Sequence, residues 1–296
     1  MTSAADKRPE RTIVVAVDGS ATALQAVRWA TVECALRHSE LRILLSSASA
    51  PRTGLSAMKI VGGREWLYWN GERVLAEAAA MARNVDSDIA VTTELIADPV
   101  IPALVQRSEQ VAVIVAGSHG RGAFRRALLG SVSSAITRQA HCPVAIVHRD
   151  SVIPVESDPR PVAVGVDGEY ASIDRAFEEA SLRGVALVAV RACDEAVEAF
   201  ALSGELGRVR TGERQALAGY LAPWRHRHPE VELETTVVFD SPAHALLEYS
   251  DEAQLLVVGR HEWAGSTGVA TRSTRAALLH RALCPTLIVP EPQKQR

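Results

Sequence analysis

Residues 111–134 read VAVIVAGSHGRGAFRRALLGSVSS. The apolar run at residues 111–116 has the length and the β-branched content of a buried parallel strand. Beyond the glycines, Val132, Ala135 and Ile136 recur at the three- and four-residue steps of a helix. A strand, a glycine-rich loop and a helix in this order predict an α/β fold that presents backbone N–H groups to an anion.

The glycines of this loop would let the main chain approach a phosphate closely. Gly117, Gly120 and Gly122 lack a Cβ atom and tolerate a positive φ. Ser131 and Ser133 would add hydroxyl donors at the helix start, where Ser131 can also act as a cap. A strand-to-helix turn without any ligand is the alternative, because lone glycine motifs give many false matches.

The chain contains this kind of unit twice. Residues 160–168, RPVAVGVDG, echo residues 11–19, RTIVVAVDG. Near the ends of the two copies, LCPTLIV at residues 283–289 echoes HCPVAIV at residues 141–147. Internal repeats of this kind indicate two copies of one α/β unit.

The length of 296 residues fits two domains of ordinary size. We expect the first domain at residues 10–149 and the second at residues 160–291. The segment between them, RDSVIPVESDP at residues 149–159, is polar and contains proline, as expected of a linker.

Hydrophobic patterning predicts alternating strands and helices in the first copy. The predicted strands are residues 12–17, 41–46, 89–95, 111–116 and 144–148, and the predicted helices are residues 22–37, 65–84, 99–108 and 131–139. The predicted core face of the first helix consists of Leu24, Val27, Ala30, Val32 and Leu36. Residues 49–64 are irregular and are either a flap over a ligand or a plain surface loop.

This alternation predicts the α/β class, with two tandem doubly wound domains of five parallel strands each. Ligands in such sheets bind beyond the carboxyl ends of the strands, where the strand order reverses. Asp18 follows the first strand and Gly117 follows the fourth, so both are expected at this crevice. Asp18 has an alternative role as a turn or capping carboxylate, because Asp-Gly-Ser is ordinary turn chemistry.

The glycine spacing resembles the nucleotide-binding signature of the universal stress protein family. Gly117, two residues, Gly120, nine residues and then Gly130-Ser131 match it. VVAVDGS at residues 14–20 supports the resemblance, and a weaker copy covers the second half of the chain. The pattern is neither a Walker A loop nor a dinucleotide fingerprint. The resemblance implies the strand order 3-2-1-4-5, which sets strands one and four side by side.

The resemblance also implies that ATP, with Mg²⁺, lies across the crevice. Asp18 would contact the nucleoside above an apolar floor, Ser47 would contact the base through its backbone, and the loop would line the phosphates. The implied binding residues are Ala16, Val17, Asp18, Ser47, Gly117, His119, Gly120, Gly130, Ser131, Val132 and Ser133.

Catalysis is not expected from this pattern. His119 as a base and Ser131 or Ser133 as a nucleophile lack an identifiable third group that would orient the base. A cluster of arginines could neutralise phosphate or form a solvated face: Arg121, Arg125 and Arg126. We therefore expect a stress-response regulator whose bound ATP controls its conformation or its partners. The alternatives are a slow ATP hydrolase and a nucleotide-free interaction scaffold.

The second copy departs from the signature, so we expect one nucleotide per chain. Gly259 and Ser273 are kept, and Asp167-Gly168 still follows the first strand of this copy. Three other positions differ: Glu262 replaces Gly120, Arg272 replaces Gly130 and Arg275 replaces Ser133. Gly265 and Gly268 would be able to rebuild a different loop.

Composition and charge argue against a nucleic-acid-binding protein and against a membrane-spanning one. The net charge of −3 gives no nucleic-acid footprint, and no apolar run reaches the length of a membrane span. The four cysteines show no C-x-x-C spacing, which favours reduced thiols in a cytoplasmic protein.

The edge strands at residues 144–147 and 286–289 predict pseudo-dimeric pairing of the two domains. The chain is also a candidate homodimer with an unknown protein partner.

Overall fold

The computed structural model describes residues 10–49, 63–120, 130–155, 158–168, 170–193, 206–260 and 274–291. The chain divides into two compact units, Met1–Arg149 (unit 1) and Asp150–Arg296 (unit 2). Several sequence predictions lie outside the described residues: those for residues 50–62, for the loop at residues 121–129 with its three arginines, and for residues 261–273 with Glu262, Arg272 and Ser273.

Unit 1 alternates strands with helices, as predicted. Its strands are β1 Glu10–Val17, β2 Glu40–Ser46, β3 Val91–Ile96, β4 Val111–Gly117 and β5 Val144–Val147. Its helices are α1 Ala21–Arg37, α2 Gly63–Val85, α3 Val100–Arg107 and α4 Ser131–Gln139. The strands are parallel in the order β3-β2-β1-β4-β5, which confirms the predicted strand order.

The buried strands of unit 1 explain why their sequences are continuously apolar. Ile13, Val14 and Val15 of β1 are fully buried, because helices cover both faces of a doubly wound sheet. β1 lies between β2 and β4, with Ala16 paired to Ala116. The chain order of the strands reverses between β1 and β4, and this point fixes where the crevice opens.

Helix α1 buries a broader surface than the predicted apolar face. Val27 and Ala30 are buried as expected, but the remaining predicted core positions are only half-buried: Leu24, Val32 and Leu36. Trp29 and Glu33 are buried instead. The Glu33 carboxylate tolerates burial because Arg37, one turn later, forms an ion pair with it.

Unit 2 repeats the arrangement of unit 1. Its strands are β6 Val162–Gly165, β7 Leu187–Ala192, β8 Leu233–Val238, β9 Leu255–Gly259 and β10 Thr286–Val289. Its helices are α5 Tyr170–Arg183, α6 Leu206–Arg227, α7 Pro242–Glu252 and α8 Thr274–Arg281. The parallel order β8-β7-β6-β9-β10 is the order found in unit 1. Among the described helices, none is long and apolar enough to cross a membrane.

Candidate functional site

The turn after β1 holds Asp18 in a defined orientation. The backbone N–H of Ser20 donates to Oδ1 of Asp18 at 2.9 Å, and Gly19 between them has a φ of +77°. A positive φ of this size favours glycine. Ser20 then caps α1 by accepting a hydrogen bond from the N–H of Ala23 at 3.2 Å. Asp18 therefore has the turn role that its sequence suggested, with Oδ1 as the acceptor.

Gly117, the last residue of β4, lies against the first turn of α1. A Cβ atom at position 117 would be 2.9 Å from the carbonyl carbon of Thr22 and 3.0 Å from its oxygen. Only glycine allows this approach of backbone to backbone. The Thr22 hydroxyl then donates to the carbonyl of His119, which ties the start of the glycine loop to the start of α1.

Gly120 meets the Asp18 turn directly. A Cβ atom at position 120 would lie 2.6 Å from Oδ2 of Asp18. The two ends of the predicted site, the β1 turn and the β4 loop, are therefore in contact. The convergence of these two strand ends, inferred from topology alone, is present in the structure.

Gly130 closes the loop at the start of α4. Its N–H donates to the Ser118 carbonyl at 2.9 Å, and a Cβ atom at position 130 would be 3.3 Å from that oxygen and 3.4 Å from Oγ of Ser133. The first helical hydrogen bond of α4 runs from the Ser134 N–H to the Gly130 carbonyl at 3.0 Å. The N–H groups of the three preceding residues have no partner within the helix, as is general for a first turn. These three residues are Ser131, Val132 and Ser133.

The two serines at the start of α4 differ in their surroundings. The hydroxyl of Ser133 is buried and donates to the Gly117 carbonyl at 2.6 Å. Its proton is therefore engaged within the loop, and an anion would meet Ser133 through the backbone N–H instead. Ser131 is exposed at the helix start.

His119 has one ring nitrogen engaged and one without a partner. Its Nδ1 lies 2.9 Å from Oγ of Ser118, a residue whose own N–H donates to the Val147 carbonyl at 2.9 Å. Its Nε2 is buried and finds no hydrogen-bond partner in the described part of the chain. A buried polar atom without a partner is uncommon, and its environment requires an explanation.

Ser47 lies at the end of the neighbouring strand β2. Its hydroxyl donates to the Ile96 carbonyl at 3.0 Å, and the adjacent Ser46 donates to the Asp98 carbonyl at 2.7 Å. Both side chains therefore join the ends of β2 and β3. Contact of Ser47 with a base through its backbone stays a prediction. At the end of β1, Val17 is buried and Ala16 is half-buried.

Two residues that build this site were missed by sequence reasoning. Thr22 connects α1 to the loop, and Ser118 connects the loop to β5 and to His119. Neither belongs to the glycine spacing, and their roles depend on contacts between elements distant in the chain. The one available signal was position, since each residue lies within four residues of Asp18 or next to Gly117.

Unit 2 has a different arrangement at the corresponding position. Counting back from the Cys-Pro of each copy, Arg260 corresponds to Ser118 and Arg275 to Ser133. The Arg275 guanidinium donates through Nη1 to the Arg260 carbonyl at 2.7 Å. In unit 1 the corresponding carbonyl accepts from the Gly130 backbone. A charged side chain in unit 2 therefore makes the contact that the loop backbone makes in unit 1.

Comparisons with known proteins agree with this architecture. The model of the universal stress protein family matches residues 10–148 and again residues 160–290. A universal stress protein of Mycobacterium tuberculosis (strain ATCC 25618 / H37Rv) is 36% identical over 290 residues, which cover 95% of this chain and 97% of the relative. A second one from the same strain is 34% identical over 287 residues, covering 94% and 96%. The crystal structure of a universal stress protein from Archaeoglobus fulgidus DSM 4304 has the same fold, with a TM-score of 0.68 at 18% identity, covering 96% of this chain and 100% of that chain.

Proposed function

Because the chain belongs to the universal stress protein family, we propose that unit 1 binds ATP between Asp18 and the glycine loop. The bound nucleotide would control the conformation or the partners of a stress-response regulator. One observation carries the proposal: the glycines of the signature bring the β4 loop, the β1 turn and the start of α4 into contact.

The phosphates would lie at the start of α4. The N–H groups of its first turn and the positive end of the helix dipole favour an anion at this place. Gly130 has no side chain to occupy the space in front of these groups. A Mg²⁺ ion that accompanies ATP would be held mainly through the phosphates and its own waters, since Mg²⁺ usually keeps several waters at substrate phosphates. Among the described residues, no group of three His, Cys, Asp or Glu side chains could hold a metal ion.

His119 supplies a further reason to place a ligand in this loop. Its buried Nε2 finds no partner among the described residues, whereas the other nitrogen is held by Ser118. When the ring proton is on Nε2, this N–H would donate a hydrogen bond to a phosphate oxygen. The ring orientation is already fixed by Ser118, so little side-chain entropy would be lost on binding.

The nucleoside would lie at the β1 end of the crevice. The Oδ2 atom of Asp18 is an acceptor for a ribose hydroxyl, while Oδ1 stays with the Ser20 N–H. Ala16 and Val17 end β1 beneath this position, and Ser47 directly follows the adjacent strand β2. These assignments give the nucleoside and the phosphates separate parts of one site.

Binding rather than catalysis is the role that the loop contacts support. A nucleophilic serine needs a base that takes its proton. The Ser133 hydroxyl donates to a backbone carbonyl, which cannot act as that base. We therefore assign the site to ATP recognition. Homodimer formation and the identity of a protein partner stay predictions.

Titration calorimetry with ATP on the full chain tests the proposal. We expect saturable binding, and Gly130→Glu should weaken it by about tenfold or more, because the new carboxylate would face the phosphates. Gly212→Glu is the matched control, since it adds the same charge at an exposed, open position of α6. Absence of ATP binding by the wild-type chain, or equal affinities for wild type and Gly130→Glu, would overturn the proposal.

A further inference from the structure

Unit 2 presents an exposed aromatic ring at the beginning of α5. Tyr170 is 64% exposed. Its ring stacks on Trp224 of α6, with ring centroids 5.5 Å apart and an interplanar angle of 26°. The ring centroid of Tyr220 lies 5.6 Å from that of Tyr170, with an interplanar angle of 48°. Tyr170 therefore packs against two other aromatic rings, while most of its surface is exposed to solvent.

The rings beneath Tyr170 are fixed by polar contacts. The indole N–H of Trp224 donates to Oδ1 of Asp174 at 2.8 Å, and Trp224 is only 4% exposed. The Arg227 guanidinium lies 5.4 Å from the Trp224 ring centroid and 2.9 Å from the same carboxylate oxygen. An aromatic surface held in this way loses little conformational entropy when a second planar group stacks on it.

The aromatic cluster is joined to the turn that follows β6. The Tyr220 hydroxyl donates to the Gly168 carbonyl at 3.1 Å, and burial raises the pKa of Tyr220 to about 12, so the hydroxyl keeps its proton at neutral pH. Asp167, the neighbour of Gly168, is exposed. Asp167 occupies the place in unit 2 that Asp18 has in unit 1. The Tyr220 hydroxyl interacts with both Tyr170 and the Asp167 carboxylate, so these two residues lie around one hydroxyl beyond the carboxyl end of β6.

The part of unit 2 that corresponds to the proposed phosphate site of unit 1 has different contacts. The guanidinium of Arg275 bonds the Arg260 carbonyl, whose counterpart in unit 1 accepts from the Gly130 backbone. In unit 2, therefore, a charged side chain makes the contact that the loop backbone makes in unit 1. The sequence of unit 2 also lacks two signature glycines, which a close approach of the backbone to a triphosphate requires.

From these contacts we propose that unit 2 is a second binding site, for a nucleoside without phosphates. Its base would stack on Tyr170, and its ribose hydroxyls would donate to Asp167. Every nucleobase has a π-face, so stacking supplies affinity, whereas the carboxylate selects for a hydroxyl-bearing ligand. The proposal extends beyond ATP binding by unit 1 and does not depend on it.

Titration calorimetry with adenosine on the full chain tests this site. Asp18→Asn is included in every protein, because unit 1 would hold a nucleoside through Asp18 and would otherwise contribute to the heat. We expect one adenosine per chain, and Tyr170→Ala should weaken binding by about fivefold or more, as for loss of one stacked base. Tyr170→Phe keeps the ring and should bind adenosine as the parent does.

Asp167→Asn gives a second, independent variant. It should also weaken adenosine binding, because an amide oxygen is a poorer acceptor than a carboxylate. Circular dichroism checks that each variant keeps the fold. Absence of adenosine binding, or binding unchanged by both Tyr170→Ala and Asp167→Asn, would overturn the proposal. Neither result bears on ATP binding by the wild-type chain, which is measured separately.

Discussion

Oδ2 of Asp18 lies so close to Gly120 that a Cβ atom at position 120 would be 2.6 Å from it. Non-bonded heavy atoms do not approach this closely unless they share a hydrogen bond, and a methyl group cannot form one. The carboxylate cannot turn away without a cost, because Oδ1 accepts from the Ser20 N–H. Glycine is therefore favoured at position 120 because of a side chain from the turn after β1.

Replacing Gly120 by alanine should weaken ATP binding by about tenfold or more. The new methyl group must either displace the Asp18 carboxylate or move the loop, and both changes disturb the proposed site. Titration calorimetry measures the effect. Gly219→Ala is the control: this position in α6 is open, so ATP affinity should not change. A Gly120→Ala protein that binds ATP as tightly as wild type would contradict this prediction.

Replacing Gly117 by alanine should mainly affect stability. Its Cβ atom would meet the backbone of Thr22, at 2.9 Å from the carbonyl carbon, and a helix backbone adjusts less easily than a side chain. Overpacking of this kind costs about 1–3 kcal/mol. We expect a lower free energy of unfolding in urea for Gly117→Ala than for Gly120→Ala. The reverse order of the two stabilities would show that the contact with α1 is not the limiting one.

The sequence was sufficient to predict the sheet because its strands are buried on both faces. Residues 111–116 form a continuous apolar run of strand length, and the β-branched Val113, Ile114 and Val115 within it are fully buried. The face of α1 was predicted less well, because Glu33 is buried there and its burial depends on Arg37. A pattern of apolar residues carries no signal for a buried ion pair.

The sequence predicted those features of the candidate site that follow from local pattern and strand order, but not the individual side-chain contacts. The meeting of Asp18 with the glycine loop follows from parallel strand order, and the structure has it. The direction of the Ser133 hydroxyl toward the Gly117 carbonyl does not follow, since it depends on where the loop backbone turns. For the same reason, the contact of Thr22 with His119 has no counterpart in the sequence pattern.

Ser133→Ala and Ser131→Ala should separate stability from binding. Loss of the Ser133 hydroxyl leaves the Gly117 carbonyl without this buried donor, which should cost about 1–3 kcal/mol of unfolding free energy. Ser131 is exposed, so its replacement should change stability little and act on ATP affinity alone. Urea unfolding and ATP titration on both variants measure the difference. Equal stabilities of the two variants would mean that the Ser133 hydrogen bond contributes little.

The full chain should bind one ATP rather than two. In unit 1, the Ser118 carbonyl accepts a hydrogen bond from the backbone N–H of Gly130, the residue that precedes α4. In unit 2, the matching carbonyl of Arg260 accepts from the Arg275 side chain. The sequence of that unit also lacks the glycines that correspond to Gly120 and Gly130.

Titration calorimetry with ATP should therefore give a stoichiometry near one, and Gly130→Glu should remove most of the heat. Arg275→Ser, which restores the residue type found in unit 1, should leave the stoichiometry near one. The reason is that the two signature glycines are still absent from unit 2, and a close approach of the backbone to a phosphate requires them. A stoichiometry near two for the wild-type chain, with similar affinities, would show that unit 2 holds ATP by another arrangement.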